Sequence, residues 1–415
     1  MHPFTILFVT LLSAGLVLRL WLLGRQIRKV AAMRDRVPAP FANAITALQH
    51  ARAADYTIAL AKFSRCHAAY DAGLLLAFTI GGGIARIDAA LAAISLPPLG
   101  RGVAVVAAVA LLFAVLDLPF GIWRTFRIEA RFGFNRATPA LFAADHLKGL
   151  VIAAILLGPL VALLLWLFGR AGSQWWLWAW SAWAAFSLLL SWAWPRLIAP
   201  LFNRFRELPD GELRTGVIGL ARRCGFEPRG VFVMDGSRRS AHGNAYFTGI
   251  GRTKRIVFFD TLLEALAPGE VEAVLAHELG HFRLRHVAWR IAWSLVASFA
   301  GFALLAWLAG QPWFQPALSV AEGSAHTLFL LFALAAPVFL LPAAPLGAWL
   351  SRRHEYAADE FAARHADATA LADALVKLYR DNATTLTPDR LYTAFHASHP
   401  PAIDRIGRLT APTSG

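Results

Sequence analysis

Apolar residues in this chain run in long blocks rather than in short alternations. Seven blocks predict helical membrane spans: Pro3–Leu23, Asp71–Ile94, Val103–Trp123, Gly149–Phe168, Trp175–Trp194, Val287–Leu308 and Thr327–Leu350. Each holds about 20 residues, enough for a helix to cross a hydrocarbon core of about 30 Å. The second block is the weakest, because Gly81-Gly82-Gly83 interrupts it and it carries Arg86 and Asp88. Both ionisable residues are expected to face the bundle interior or a polar cavity. Trp175, Trp176, Trp178 and Trp180 gather at the start of the fifth block, as in an interfacial aromatic belt. The first block has no basic segment before it and no small-residue cleavage site, and Arg25, Arg28 and Lys29 follow it. It reads as an uncleaved span, not a signal peptide.

The polar intervals set the topology. The 24–70 interval carries eight Lys or Arg, and 123–148 holds Arg124, Arg127, Arg131, Arg136 and Lys148. The 309–324 interval has none, and 169–174 has only Arg170. Alternation then predicts an outside N-terminus and an inside C-terminus, with the large polar segments in the cytoplasm. The segment 196–286 reads as a small mixed domain. Leu213–Arg223 is expected to be helical, and Gly230–Met234 a strand. Ala245–Thr248 and Arg255–Phe259 are expected as strands around Gly249-Ile250-Gly251, with helix again from Leu262. A strand just ahead of the next helix offers an edge on which an extended peptide can pair.

The expected organisation has four parts. Residues 1–195 form five membrane helices with cytoplasmic loops, and 196–286 the small mixed domain. Helices six and seven lie in 287–350, and 351–415 is a C-terminal segment that completes the site. The fold class is mainly α: a polytopic membrane protein of seven helices, plus a small α+β domain.

Composition agrees. The protein is 57% hydrophobic and 16% charged, with a mean hydropathy of +0.52. The net charge of +14 does not point to nucleic acid, because the basic residues cluster beside apolar blocks as topology signals. Cys66 and Cys224 are far apart and both fall on the expected cytoplasmic side, which excludes a disulfide framework and a cysteine metal site.

The candidate chemistry lies in Gly269–His286, which contains His277-Glu278-Leu279-Gly280-His281. On a helix, residues four apart differ by about 40° and share a face. Two imidazoles in that register can hold one Zn²⁺, and Glu278 points toward a water on the metal. Pro268 can start this helix, Glu270 and Glu272 suit its positive end, and Val271, Val274 and Leu275 recur at helical spacing. A catalytic zinc needs a third protein ligand and an open fourth position. A histidine six residues past His281 is excluded, since Val287 stands there. His286 is five residues on, off the ligand face of a continued helix. The remaining candidate is Ser351–Asp359, where Glu355 and Asp359 lie four apart on one face. One can bind metal while the other accepts the N–H of a ligand histidine. His354 and His365 are alternatives.

These motifs resemble the integral-membrane CAAX prenyl protease type I family of zinc metalloendopeptidases. The resemblance runs through Arg131–Asn135, Ile198–Asn203, Ser240–Phe247, Lys254–Thr261, the helix with the zinc motif, Glu355–Asp359, Ser398–Pro401 and Asp404-Arg405-Ile406. It extends over nearly the whole sequence. Gly243 departs from it, since a serine is expected there. The resemblance implies a seven-helix barrel around a water-filled chamber, one Zn²⁺ per protein molecule held by His277, His281 and Glu355, and Glu278 as general base. It makes Asp359 the partner of a ligand histidine and Asn244 a holder of substrate backbone. It also makes His399 and Arg405 stabilisers of the substrate carbonyl or transition state.

The expected reaction is peptide-bond hydrolysis by metal-activated water. The expected partners are a peptide or protein substrate, with or without an attached lipid, and membrane lipid; nucleic acid is not expected, and the protein is expected to be a monomer. A catalytically silent scaffold or a transporter with a structural zinc is the competing class, disfavoured by Glu278, which a structural site does not need. Cleavage inside the bilayer is disfavoured by Glu270, Glu272, Arg283 and Arg285 beside the motif. The Ala- and Arg-rich composition reads as bacterial, which would make this the cytoplasmic membrane. CAAX-type C-terminal processing and membrane quality control are then equally open.

Overall fold

The structure, a computed structural model, describes residues 1–248, 255–321 and 323–411. The Gly249-Ile250-Gly251 turn and Lys254 lie outside the described residues.

The long helices begin where the sequence offers a start. α1 (Pro3–Ala32), α2 (Ala47–Phe78), α3 (Gly83–Ala92), α4 (Pro98–Trp123), α5 (Pro139–Arg170) and α6 (Trp175–Ala193) follow in order. Proline opens α1, α4 and α5, where its missing N–H has no partner to lose. At α2, Thr46 Oγ1 accepts from Gln49 N–H and Gln49 Oε1 accepts from Thr46 N–H, a reciprocal cap. Six described helical stretches are long and apolar enough to cross a membrane, and the α2–α3 pair, bent by 47°, makes a seventh if taken as one span.

That second crossing differs from the expected Asp71–Ile94 block. α2 starts far earlier, and the backbone breaks at Gly82, whose φ of 73° is left-handed and suits glycine. Asp88 is buried, as expected, but Arg86 is exposed. Residues two apart point about 200° from each other on a helix, so both cannot face inward. Asp88 Oδ1 accepts from Arg101 Nη2 at 2.7 Å and sits 3.0 Å from His326 Nε2, tying α3 and α4 to a later helix. The tryptophan cluster divides too. Trp178 is exposed, whereas Trp175 packs on Phe168 and Phe329, and Trp176 and Trp180 pack on Phe299.

After α6, the short α7 (Ala199–Phe202) leads into β1 (Phe205–Glu207), α8 (Glu212–Arg223), β2 (Val231–Met234), β3 (Ala245–Thr248) and β4 (Arg255–Phe259). The sheet order is β1-β2-β4-β3, with β2 and β4 parallel and the other pairs antiparallel. β1 was not expected from the sequence; its three residues carry too little pattern. β3 forms one edge of the sheet. Then come α9 (Asp260–Ala265), α10 (Pro268–Arg283), α11 (His286–Ala309), α12 (Phe314–Ala317), α13 (Ala325–Leu340), α14 (Ala344–His365), α15 (Ala368–Asp381), α16 (Arg390–His396) and α17 (Ala402–Leu409).

One core joins the sheet to α8, α10, α15 and α17 through Val217, Leu220, Ile256, Phe258, Leu275, Leu279, Leu371 and Ile406. Each such burial contributes about 1.5–3 kcal/mol. The loop after α4 docks on this domain. Ala241 N–H donates to Phe134 O, Arg136 N–H donates to Arg239 O, and His242 stacks on Phe134 at 4.3 Å. Arg239 in turn donates to Asp145 and Asn203.

Asp88→Leu should lower stability by about 3 kcal/mol, because it strands Arg101 and removes the acceptor for His326. Thermal unfolding in detergent checks this, and Asp88→Leu/Arg101→Met should recover part of the loss.

Candidate metal centre

α10 starts at Pro268, as its sequence predicts, and Glu270 Oε2 accepts the Ala267 N–H at 2.7 Å in its first turn. Its apolar face, Val271, Val274 and Leu275, is buried. α14 crosses it closely. A Cβ on Gly280 would lie 3.2 Å from both Ala358 Cα and Phe361 Cβ, so a side chain there would push the two backbones apart by a few tenths of an ångström. That crossing brings Glu355 and Asp359 against His277 and His281.

His277 Nε2 and His281 Nε2 stand 3.2 Å apart. Glu355 reaches both, with Oε1 3.3 Å from His281 Nε2 and Oε2 3.6 Å from His277 Nε2. Metal bonds of about 2.1 Å in tetrahedral geometry put ligand atoms about 3.4 Å apart, so this donor set fits such a cation. Two ring nitrogens turned toward each other also need a cation or proton between them. His67, Asp71 and Asp117 form a second His–carboxylate group among the described residues, but it is largely exposed.

Around these donors the remaining groups are ordered. Asp359 Oδ1 lies 2.8 Å from His277 Nδ1, off the ring N–H axis, so it assigns the tautomer without an in-line hydrogen bond. Arg405 is buried and donates Nε to Asp359 Oδ2 at 2.8 Å and Nη2 to Oδ1 at 2.5 Å; its Nη1 is 3.7 Å from Glu355. His399 is largely exposed, with Nδ1 2.6 Å from Glu355 Oε2. Glu278 is partly buried beside the histidines, and that burial raises its carboxyl pKa.

A cavity of about 830 Å³ opens onto the centre, lined among others by Tyr246, His277, Glu278, His281, Glu355 and His399. Arg405 is absent from that wall. Its nitrogens face the carboxylates of Asp359 and Glu355. Asn244 is exposed at the head of β3, its Oδ1 accepting the Ala245 N–H; Tyr246 is the β3 residue in the wall. Gly243 has room for the serine whose place it takes, since a Cβ there would meet nothing closer than 3.5 Å.

One partner was not foreseen. His286 does not continue α10: Arg285 takes a left-handed φ of 57°, α11 restarts, and His286 Nδ1 comes 3.0 Å from His281 Nδ1. His354 stacks on His286 at 4.0 Å. The alternative ligand His365 lies elsewhere, with Nδ1 2.9 Å from Phe361 O.

Comparison with known proteins agrees with this architecture. Residues 26–204 match a family model described as CAAX prenyl protease N-terminal, five membrane helices, and residues 207–413 match Peptidase family M48. A CAAX prenyl protease 1 homolog of Arabidopsis thaliana is 38% identical over 301 residues, covering 70% of this chain and 69% of the relative. One of Caenorhabditis elegans is 31% identical over 442 residues, covering 98% of each. The crystal structure of S. mikatae Ste24p superposes with a TM-score of 0.90 at 29% identity, covering 99% of both chains. Fold and site together define a multi-pass membrane metallopeptidase that acts on peptides or proteins. The chain belongs to the CAAX prenyl protease 1 family within peptidase family M48.

Gly280→Val should force α14 off α10 and lower metal content several-fold while leaving helicity near the parent value; metal analysis and circular dichroism check this. His286→Phe should keep the fold and weaken metal binding about 10–100-fold, read by competition with a chelator.

Proposed function

We propose that this protein is a zinc metalloendopeptidase whose single Zn²⁺ is held by His277, His281 and Glu355. The observation that carries it is three donor atoms at tetrahedral spacing in the wall of a cavity that also contains Glu278. His₂Glu is a catalytic zinc set with one position left open. When bound, the ion lowers the pKa of a water to about 7 and polarises the scissile carbonyl.

The protein's own groups supply the rest. Glu278 takes the proton from the attacking water, holds it in its partly buried carboxyl, and gives it to the leaving amine. Asp359, fixed by Arg405, keeps the His277 ring in the orientation that leaves Nε2 free. His399, whose Nδ1 faces Glu355, has Nε2 left for the developing oxyanion. The free edge of β3, from Asn244 to Tyr246, would pair with an extended substrate.

The relatives' names carry CAAX prenyl protease activity. By extension, the substrates of this protein are polypeptides that undergo C-terminal processing of that kind, or membrane-associated peptides removed by proteolysis. The charge pattern supports an outside N-terminus and a cytoplasmic centre, and the protein acts as a monomer in the membrane. The four segments 1–195, 196–286, 287–350 and 351–415 then act as helical bundle, first half-site, linking spans and second half-site.

Glu278→Gln should retain its metal and lose peptide cleavage by about 100-fold or more. A chelator-sensitive peptidase assay with metal analysis tests this, and full activity in the variant would end the proposal. Mass spectrometry of peptides trapped on the same variant would identify the substrate class.

A further inference from the structure

A second cavity, of about 800 Å³, shares no lining residue with the one at the metal centre and lies between α2 and the π-helical turn 124–129 that follows α4. Phe63, Trp123 and Phe126 form apolar wall, and Lys62, Arg127 and Arg131 line it as exposed cations. Among the described residues no carboxylate lies within ion-pair distance of these cations, although Arg131 rests over the Phe132 ring and its charge also acts on Asp55. The acidic groups nearby are engaged: Asp55 Oδ1 accepts from Arg34 Nε at 2.8 Å, and Glu129 Oε1 accepts from Tyr56 at 2.8 Å.

Phe126 also prolongs an apolar stripe. Leu111, Val115 and Ile122 of α4 are 51%, 53% and 44% exposed, and the spacings of four and seven residues keep these three on one helix face, with Phe126 in the turn just beyond. On a membrane-crossing helix, such a face is turned to acyl tails. The groove therefore joins a lipid-facing surface on one side and three cations on the other, Arg127 and Arg131 at the polar end of the same span and Lys62 on α2.

We propose that this groove is a binding site for an anionic phospholipid. Its phosphate sits among Lys62, Arg127 and Arg131, and its acyl tails follow Phe126, Ile122, Val115 and Leu111. A free phosphate would leave the apolar wall unused, and a zwitterionic lipid would bring its own cation against three others. Each basic residue near an anionic membrane surface strengthens binding about fivefold, so the three together select on the order of a hundredfold.

The test uses the full-length protein in nanodiscs of phosphatidylglycerol or phosphatidylcholine, with native mass spectrometry counting retained lipid. The parent should keep phosphatidylglycerol in large excess over phosphatidylcholine, and excess inorganic phosphate should not displace it. Lys62→Gln/Arg127→Gln/Arg131→Gln should lose most of that excess. Arg222→Gln/Arg223→Gln/Arg229→Gln, which removes the same charge from exposed positions of the soluble domain, should retain it. Cys66, an exposed thiol in the groove, should react with maleimide several-fold more slowly in phosphatidylglycerol than in phosphatidylcholine. Equal retention of the two lipids, an unchanged preference in the groove variant, the same loss in the control variant, displacement by phosphate, or equal thiol reactivity would each overturn the proposal.

Discussion

The close crossing of α10 and α14 is the contact on which the active centre depends. Neither helix holds a complete set of donors. α10 offers two imidazoles, α14 offers the carboxylates, and membrane-crossing helices separate the two in sequence. Gly280 is the point where they meet with no bulk between them. Hydrophobic packing around Leu275, Leu279 and Phe361 holds the crossing together. The polar groups can then be placed to a few tenths of an ångström without stabilising the fold themselves.

Charge balance behind the donors is the second constraint. Glu355 and Asp359 are both buried, and two carboxylates at that depth would be strongly unfavourable alone. Arg405 offsets both, binding Asp359 through two nitrogens and standing near Glu355. Removing one partner of such a buried pair costs about 3–5 kcal/mol, so α17, far along the sequence, is energetically part of the centre. The histidines are held differently. His277 leans on a carboxylate and His281 on a neutral imidazole, so the two ligands differ in basicity although the motif makes them equivalent.

Much of this was legible in the sequence. Six of the spans, the β2, β3 and β4 strands and the zinc-motif helix follow from spacing, because helical and extended periods fix which residues share a face; spacing put Glu355 and Asp359 on one face, and the resemblance made Glu355 the ligand. What escaped depends on single backbone dihedrals or on contacts between distant segments. The turn at Arg285 reverses the expected direction of His286, and no periodicity rule anticipates a left-handed arginine. Arg86 and Asp88, two apart on a helix, take different faces, and only the contacts with Arg101 and His326 decide that Asp88 is the one turned inward. Arg405 and Asn244 were assigned by resemblance. The structure turns one toward the carboxylates and leaves the other exposed beside its strand, information that motif spacing does not contain.

The abrupt join at Arg285 has a mechanical consequence. α10 ends at Arg283 and the sixth span begins at His286, with the two helices coupled through the His281–His286 contact. The hydrolytic centre is therefore bolted to the bilayer instead of being carried on a flexible tether.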